Sequence, residues 1–399
     1  MKTALILPVS ASSFRRVAGL PLLQRTVLSV LRCGFDRIVV VGGRHTEQIR
    51  ALLRADERTR AVEVADAVPA VEGLHVAVIP SDCVLTAATL ERVATATLNG
   101  RPLLFRTAGN SALALCRPAM LANIDIGALA EAGSYALWEA LQARGAESLS
   151  LDGDVCAPIT DERSVVTAER ALCAQLRADS AENDGPLAHW VDRRISLRIS
   201  RWLVNHTRLR PNHITIIGTT LGLLAAAVLS VGTYWTGVIG TMLFLCTTII
   251  DGCDGEVARL TFRESTFGEK FDVITDNIVH VAIFIGIATG LYRQNPSGHY
   301  GLLIGLLLCG FACDGALSYF FLVRRPGFAR SGGPPKSFKG KVRQWMLRGL
   351  EKMMNRDFAY LLILFAVAGR LDWFFWGTAF GTYLFAIVLV SIYRWRDAT

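Results

Sequence analysis

Asp251-Gly252-Cys253-Asp254-Gly255-Glu256-Val257-Ala258-Arg259, followed by Gly268, Asp272 and Asp276, spells D-x2-D-G-x2-A-R-x8-G-x3-D-x3-D where two apolar stretches meet. A carboxylate facing lipid is costly, so four of them at the ends of two hydrophobic helices read as a functional site by default. On helices, Asp251 and Asp254 are i,i+3 neighbours and Asp272 and Asp276 are i,i+4 neighbours, so each pair shares one face. Two such faces turned together present oxygen ligands suited to hard divalent cations. A polar helix end with unrelated acids is the bland alternative, and eight fixed positions in unbroken spacing argue against it.

Outward from this stretch the 399-residue chain changes character near Asp184. Beyond that point apolar runs recur. Ile214–Gly232 carries no charge over a length sufficient to cross a bilayer, and Trp235–Ile250 runs directly into the aspartates. Ile278–Leu291 continues the helix of Asp272 and Asp276, and Tyr300–Val323 is interrupted only by Asp314. Phe358–Gly369, which is short, and Trp373–Tyr393 bring the expected spans to six. Between Arg324 and Arg356 lie ten Lys or Arg and one acid, Glu351, so this loop is expected on the cytoplasmic side of an inner membrane. An even number of spans then leaves both termini cytoplasmic. The net charge of +8 reads as membrane topology and attraction to anionic headgroups, not as a nucleic-acid footprint. Nine cysteines without a C-x-x-C argue against a disulfide frame and a zinc site. Met1–Ser10 lacks the shape of a signal peptide.

The aspartate stretch resembles the CDP-alcohol phosphotransferase family, integral membrane enzymes of phospholipid synthesis. Asp251, Asp254, Gly255, Ala258, Arg259, Gly268, Asp272 and Asp276 fill every fixed position of its signature. The resemblance runs from Pro211-Asn212-x-Ile214-Thr215 to the C-terminus. It implies a transferase that moves the substituted phosphate of a CDP-alcohol, such as CDP-diacylglycerol, to an acceptor hydroxyl and releases CMP. It also implies Mg²⁺ or Mn²⁺, two ions, held by Asp251, Asp254, Asp272 and Asp276, with Asp276 as general base, and a homodimer as a plausible assembly.

Small residues one turn from the aspartates leave room for a cytosine ring, which makes Gly255 and Ala258 candidates for contact with the CDP group. Gly268 would let the second helix approach the same pocket. Arg259 offers a fork for phosphate or for an aspartate. Close helix packing is the alternative for the glycines and the alanine. Asn212 reads as an N-cap and as a CDP-binding candidate. Lys336, Lys339, Lys341 and Arg356 of the basic loop are candidates for the acceptor. His280, one turn past Asp276, reads first as hydrogen-bonded to a neighbouring helix, and Asp314 as an interhelical hydrogen bond.

The first half reads as a three-layer α/β domain with a mostly parallel sheet. Expected strands are Thr3–Val9, Arg37–Gly42, His75–Pro80, Pro102–Arg106 and Ala112–Cys116; expected helices are Pro21–Leu31, Ala87–Thr97 and Thr160–Leu176. Gly19-Leu20-Pro21-Leu22-Leu23-Gln24-Arg25, Arg37–Val41 and Ser81-Asp82 resemble sugar-nucleotide pyrophosphorylases and cytidylyltransferases. In some transferases of the family an inositol-phosphate cytidylyltransferase domain precedes the membrane half. Such domains cradle phosphate on a glycine-rich turn, and Pro8–Arg16 has no glycine. A degenerate, nucleotidyltransferase-like domain is therefore expected over 1–184, then an interfacial amphipathic helix and linker over 185–212 and the membrane transferase domain over 213–399. Val191, Ile195, Ile199 and Leu203 carry the apolar stripe of that interfacial helix. Competing readings are a bifunctional cytidylyltransferase and phosphotransferase, and a cation-binding membrane carrier or regulator. The latter needs none of Gly255, Ala258 and Arg259.

Overall fold

The computed structural model describes residues 2–7, 11–69, 75–106, 112–121, 134–151, 156–181, 184–318 and 358–397. The chain forms two compact units. The first comprises Met1–Leu176 with the short segments Val204–His206 and Leu260–Phe262; the second comprises Arg177–Leu203, Thr207–Arg259 and Arg263–Thr399.

In the first unit the strands are β1 (Lys2–Leu7), β2 (Arg16–Val17), β3 (Leu20–Pro21), β4 (Arg37–Val41), β5 (Glu63–Ala65), β6 (His75–Pro80), β7 (Cys83–Leu85), β8 (Leu103–Arg106), β9 (Ala112–Cys116), β10 (Glu147–Ser150) and β11 (Cys156–Pro158). Its helices are α1 (Leu22–Arg32), α2 (Thr46–Arg54), α3 (Ala87–Thr95), α4 (Pro118–Leu121), α5 (Ser134–Ala143) and α6 (Glu162–Ser180), whose last turn passes into the second unit.

Seven strands form one sheet in the order β10-β8-β9-β6-β1-β4-β5, parallel except where β9 pairs with β6 and β8. Side chains alternate across a strand, and here both faces are apolar. Ala4, Ile6, Val40 and Ile79 pack under Leu23, Val27, Ile49 and Leu90 of α1–α3. Leu5, Leu7, Val39 and Val78 pack on the opposite side with Leu121 and Leu141. Strand order reverses between β1 and β6, which makes the crevice beyond their carboxyl ends a topological switch point, the usual ligand position in such sheets.

Several buried polar groups of this unit pair with one another and with backbone. Ser81 Oγ donates to Leu7 O at 3.0 Å, so Ser13 Oγ donates to Ser81 Oγ at 2.7 Å, and both serines are buried. The Ala18 N–H donates to Glu169 Oε1 at 3.0 Å. Buried Arg25 turns inward onto the carbonyls of Val17 and Ala18.

In the second unit the helices are α7 (Arg193–His206, whose last three residues belong to the first unit), α8 (Pro211–Leu229), α9 (Tyr234–Thr261), α10 (Thr266–Gln294), α11 (Tyr300–Ser318), α12 (Phe358–Val367) and α13 (Leu371–Asp397). Among the described residues α8, α9 and α10 are long and apolar enough to cross a membrane. The helix of Asn212 starts two residues earlier than the cap assignment requires. Arg210 is the extended N-cap residue and Pro211 takes the first helical position, where a fixed φ and a missing N–H cost nothing, so Asn212 is inside the first turn. The stripe of Val191, Ile195, Ile199 and Leu203 faces outward, exposed or half-buried, as do Trp190 and Trp202.

Helices α8 and α10 approach to backbone contact. A Cβ at Gly286 would strike the carbonyl oxygen of Ala226, and one at Gly290 that of Leu229. Small residues permit this approach in an apolar medium, where close packing replaces the hydrophobic effect as the source of association. Phe244, Phe284, Phe358 and Phe374 form an aromatic cluster beside it, with ring centroids 5.2–6.3 Å apart.

Candidate active site

Asp251 and Asp254 lie in the last three turns of α9, and Asp272 and Asp276 in the first three turns of α10. Ser265 caps α10 by accepting from Gly268 N at 3.0 Å, which fixes where the second pair of aspartates begins. One carboxylate oxygen from each of Asp251, Asp254 and Asp272 lies within 4.8 Å of the others. Asp254 is buried and the other two are half-buried. Its Oδ2 accepts a short hydrogen bond from the Thr215 hydroxyl on α8.

Asp272 Oδ1 is buried with no hydrogen-bond partner among the described residues. A buried acceptor without a donor is costly, and ionised carboxylates at this separation repel one another. A small divalent cation relieves both, and three carboxylate oxygens are the donor set that Mg²⁺ or Mn²⁺ prefers. The residues present therefore fit such an ion.

Asp276 stands outside the three-carboxylate group. Its side chain is half exposed, and its Oδ1 is 3.1 Å from His280 Nδ1. His280 Nδ1 is also 2.9 Å from the Asp276 carbonyl oxygen, and its ring meets Phe244 edge-on at 5.7 Å. The hydrogen bond expected to reach a neighbouring helix is thus made within α10, because i,i+4 spacing brings His280 directly over Asp276.

A Cβ at Gly255 would meet only Arg259 Nη2, at 3.4 Å, so the space beside this half-buried glycine is open among the described residues. Ala258 is buried and Arg259 exposed. At Gly268 a Cβ would lie 3.0 Å from Ser265 Oγ and 3.4 Å from Asn212 Oδ1, so Asn212 reaches the start of α10 even though it is not a cap. Lys336, Lys339, Lys341 and Arg356 lie outside the described residues, as does the side chain of Asp314. Sequence reasoning passed over two residues, Thr215 and Glu256. Thr215 ends the Pro-Asn-x-Ile-Thr run and Glu256 is the unassigned acid inside the signature; their partners are set by tertiary contacts that spacing does not reveal.

Residues 208–395 match the model of the CDP-alcohol phosphatidyltransferase family. A bifunctional IPC transferase and DIPP synthase of Archaeoglobus fulgidus is 26% identical over 227 residues, which are 57% of this chain and 41% of that protein. A protein of the same name from Aquifex aeolicus is 33% identical over 108 residues, 27% of this chain and 24% of that one. The chain spans less than half the length of these curated relatives. The solved structure of Mycobacterium tuberculosis phosphatidylinositol phosphate synthase with CDP-DAG bound aligns over 52% of this chain and 93% of that one. Its identity of 21% and TM-score of 0.31 are too low for residue correspondences. The signature aspartates fall inside the matched segment, and residues 208–395 are a CDP-alcohol phosphatidyltransferase domain.

Proposed function

We propose that this protein is a metal-dependent membrane transferase that moves the substituted phosphate of a CDP-alcohol to an acceptor hydroxyl. The observation that carries the reading is the meeting of Asp251, Asp254 and Asp272, with a buried oxygen of Asp272 lacking a donor. These three residues, with Asp276 beside them, would hold Mg²⁺ or Mn²⁺. Such ions, when bound, neutralise pyrophosphate charge and stabilise the departing oxygen.

The chain's own residues supply the rest. Thr215 holds Asp254 in one rotamer. Open space at Gly255 receives the cytidine, and exposed Arg259 meets phosphate. Asp276, exposed and apart, takes the proton of the acceptor hydroxyl as its oxygen attacks the phosphorus bearing the alcohol, and the bond to CMP breaks. Asn212 and Gly268 hold the starts of α8 and α10 together beside the nucleotide. In this reading α11, α12 and α13 add three crossings to α8–α10, both termini are cytoplasmic, and Lys336, Lys339 and Arg356 serve the acceptor. The domain limits are 1–184, 185–212 and 213–399.

The purified full chain, in detergent or lipid, is expected to release CMP from at least one member of a donor panel spanning CDP-diacylglycerol and water-soluble CDP-alcohols. A new phosphodiester should appear in equal amount by mass spectrometry. Failure of every donor and acceptor pair to yield CMP would refute the transferase reading.

The bifunctional reading is favoured by the names of the relatives and by the strand reversal at β1 and β6. Against it stand Ser13, Ser81, Glu169 and Arg25, which spend on one another and on local backbone the groups a nucleotide would need. We read the first unit as nucleotidyltransferase-like and inactive. Full-length Asp276→Asn protein, offered CTP with polyol, sugar and aminoalkyl phosphates, should release no pyrophosphate above a no-enzyme blank. Robust release that Asp82→Ala removes would make the protein bifunctional.

A further inference from the structure

Glu256 takes one of the unspecified positions of the signature. At 3.6 residues per turn it points about 170° around α9 from the mean direction of Asp251 and Asp254. It is 1% exposed, and a carboxylate buried to that degree persists only when charge and hydrogen bonds compensate it. Oε1 accepts from Ser196 Oγ at 2.6 Å and from Arg193 Nη1 at 3.1 Å, and Oε2 accepts from Ser200 Oγ at 2.7 Å. Arg193, Ser196 and Ser200 recur at helical spacing and form one polar stripe of α7.

The network continues outward. Arg193 grips Asp184 with two bonds, Nε to Oδ2 at 2.7 Å and Nη2 to Oδ1 at 3.0 Å. Burial opposes the guanidinium charge, but Asp184 and then Glu256 outweigh it and hold Arg193 above the ordinary arginine range. The residue before it, Asp192, accepts from the Tyr360 hydroxyl of α12 at 2.5 Å. Helix α9 is thus held on two opposite sides, by Thr215 of α8 at Asp254 and by α7 at Glu256.

We propose that Glu256 is a positioning residue, which through Arg193, Ser196 and Ser200 fixes the rotation of α9 about its axis and so aims Asp251 and Asp254 at Asp272. A helix free to turn by a fraction of its pitch would swing both carboxylates off the third. The inference rests on the reading of these aspartates as metal ligands, and its test includes a measurement independent of transfer.

Mn²⁺ binding to the full chain is measured by electron paramagnetic resonance, with CMP release and thermal melting followed in parallel, for the parent, Glu256→Ala and Ser200→Ala. Glu256→Ala is expected to raise the Mn²⁺ dissociation constant about 10–100-fold, the usual effect of losing a group that orients metal ligands, and to lower kcat in step. Ser200→Ala should shift both in the same direction by less, and it decides the matter if Glu256→Ala does not fold. Folded variants that melt earlier but keep Mn²⁺ affinity and kcat within twofold of the parent would overturn the proposal, as would a parent that binds no Mn²⁺. A parent that binds Mn²⁺ without releasing CMP defeats the transferase reading alone, and the Mn²⁺ affinities of the variants then decide the positioning role.

Discussion

Asp276→Asn is expected to lower CMP release at saturating donor by about a thousandfold, inside the range of roughly 10²–10⁴ that general-base catalysis contributes. Asparagine keeps the shape of the side chain and cannot take a proton. Because Asp276 lies outside the group formed by Asp251, Asp254 and Asp272, donor binding should persist in the variant. Its half-exposed carboxylate is open to an acceptor, whereas Asp254 is buried against Thr215. The measurement is single-turnover CMP release alongside equilibrium binding of the CDP-alcohol. Turnover within tenfold of the parent would remove Asp276 from the role of base and leave it a peripheral acid paired with His280.

Removal of divalent metal should have an effect at least as large. With excess chelator, CMP release is expected to fall to background and to return when Mg²⁺ or Mn²⁺ is restored. Metal coordination of a transferring phosphoryl group supplies several kcal/mol of transition-state stabilisation, and each 1.36 kcal/mol is about tenfold in rate. One oxygen from each of three carboxylates lies within 4.8 Å of the others, and a divalent cation is the counter-charge that oxygen-rich donor set suits. Asp272→Asn removes the residue whose buried oxygen lacks a donor, and should raise the half-saturating Mn²⁺ concentration by at least about 100-fold, the upper end for weaker outer-shell changes. Turnover that survives chelation undiminished, or an Asp272→Asn protein with parental metal dependence, would end the metal assignment.

The strands His75–Pro80 and Ala112–Cys116 and the helix Ala87–Thr95 were legible because long apolar runs or clear periodicity mark buried central elements. Glu63–Ala65 and Glu147–Ser150 were not. Both are short edge strands, Glu147–Ser150 is exposed throughout, and a strand that pairs on one side needs little apolar signal. Helix Thr46–Arg54 buries only Thr46, Ile49 and Leu53, too few positions to stand out from its charged remainder. At the site, the spacing of the aspartates carried its own chemistry. What spacing could not carry was partnership across helices: Thr215 on Asp254, Asn212 beside Gly268, and Glu256 turned away from the aspartates of its own motif. The N-cap assignment failed at Asn212 because Pro211 outcompetes it as the start of α8.

The backbone contact between α8 and α10 at Gly286 and Gly290 leaves no slot for an acyl chain between the two helices. Mechanically they form a single thick rod. A bilayer that thins or thickens can tilt such a rod as a body but cannot splay its halves, since splaying would open a void along a contact made of glycine and carbonyl oxygen. Asp272 rides on one half of the rod, and Thr215, which anchors Asp254, on the other. The distance between them is therefore insulated from the thickness and composition of the membrane around them.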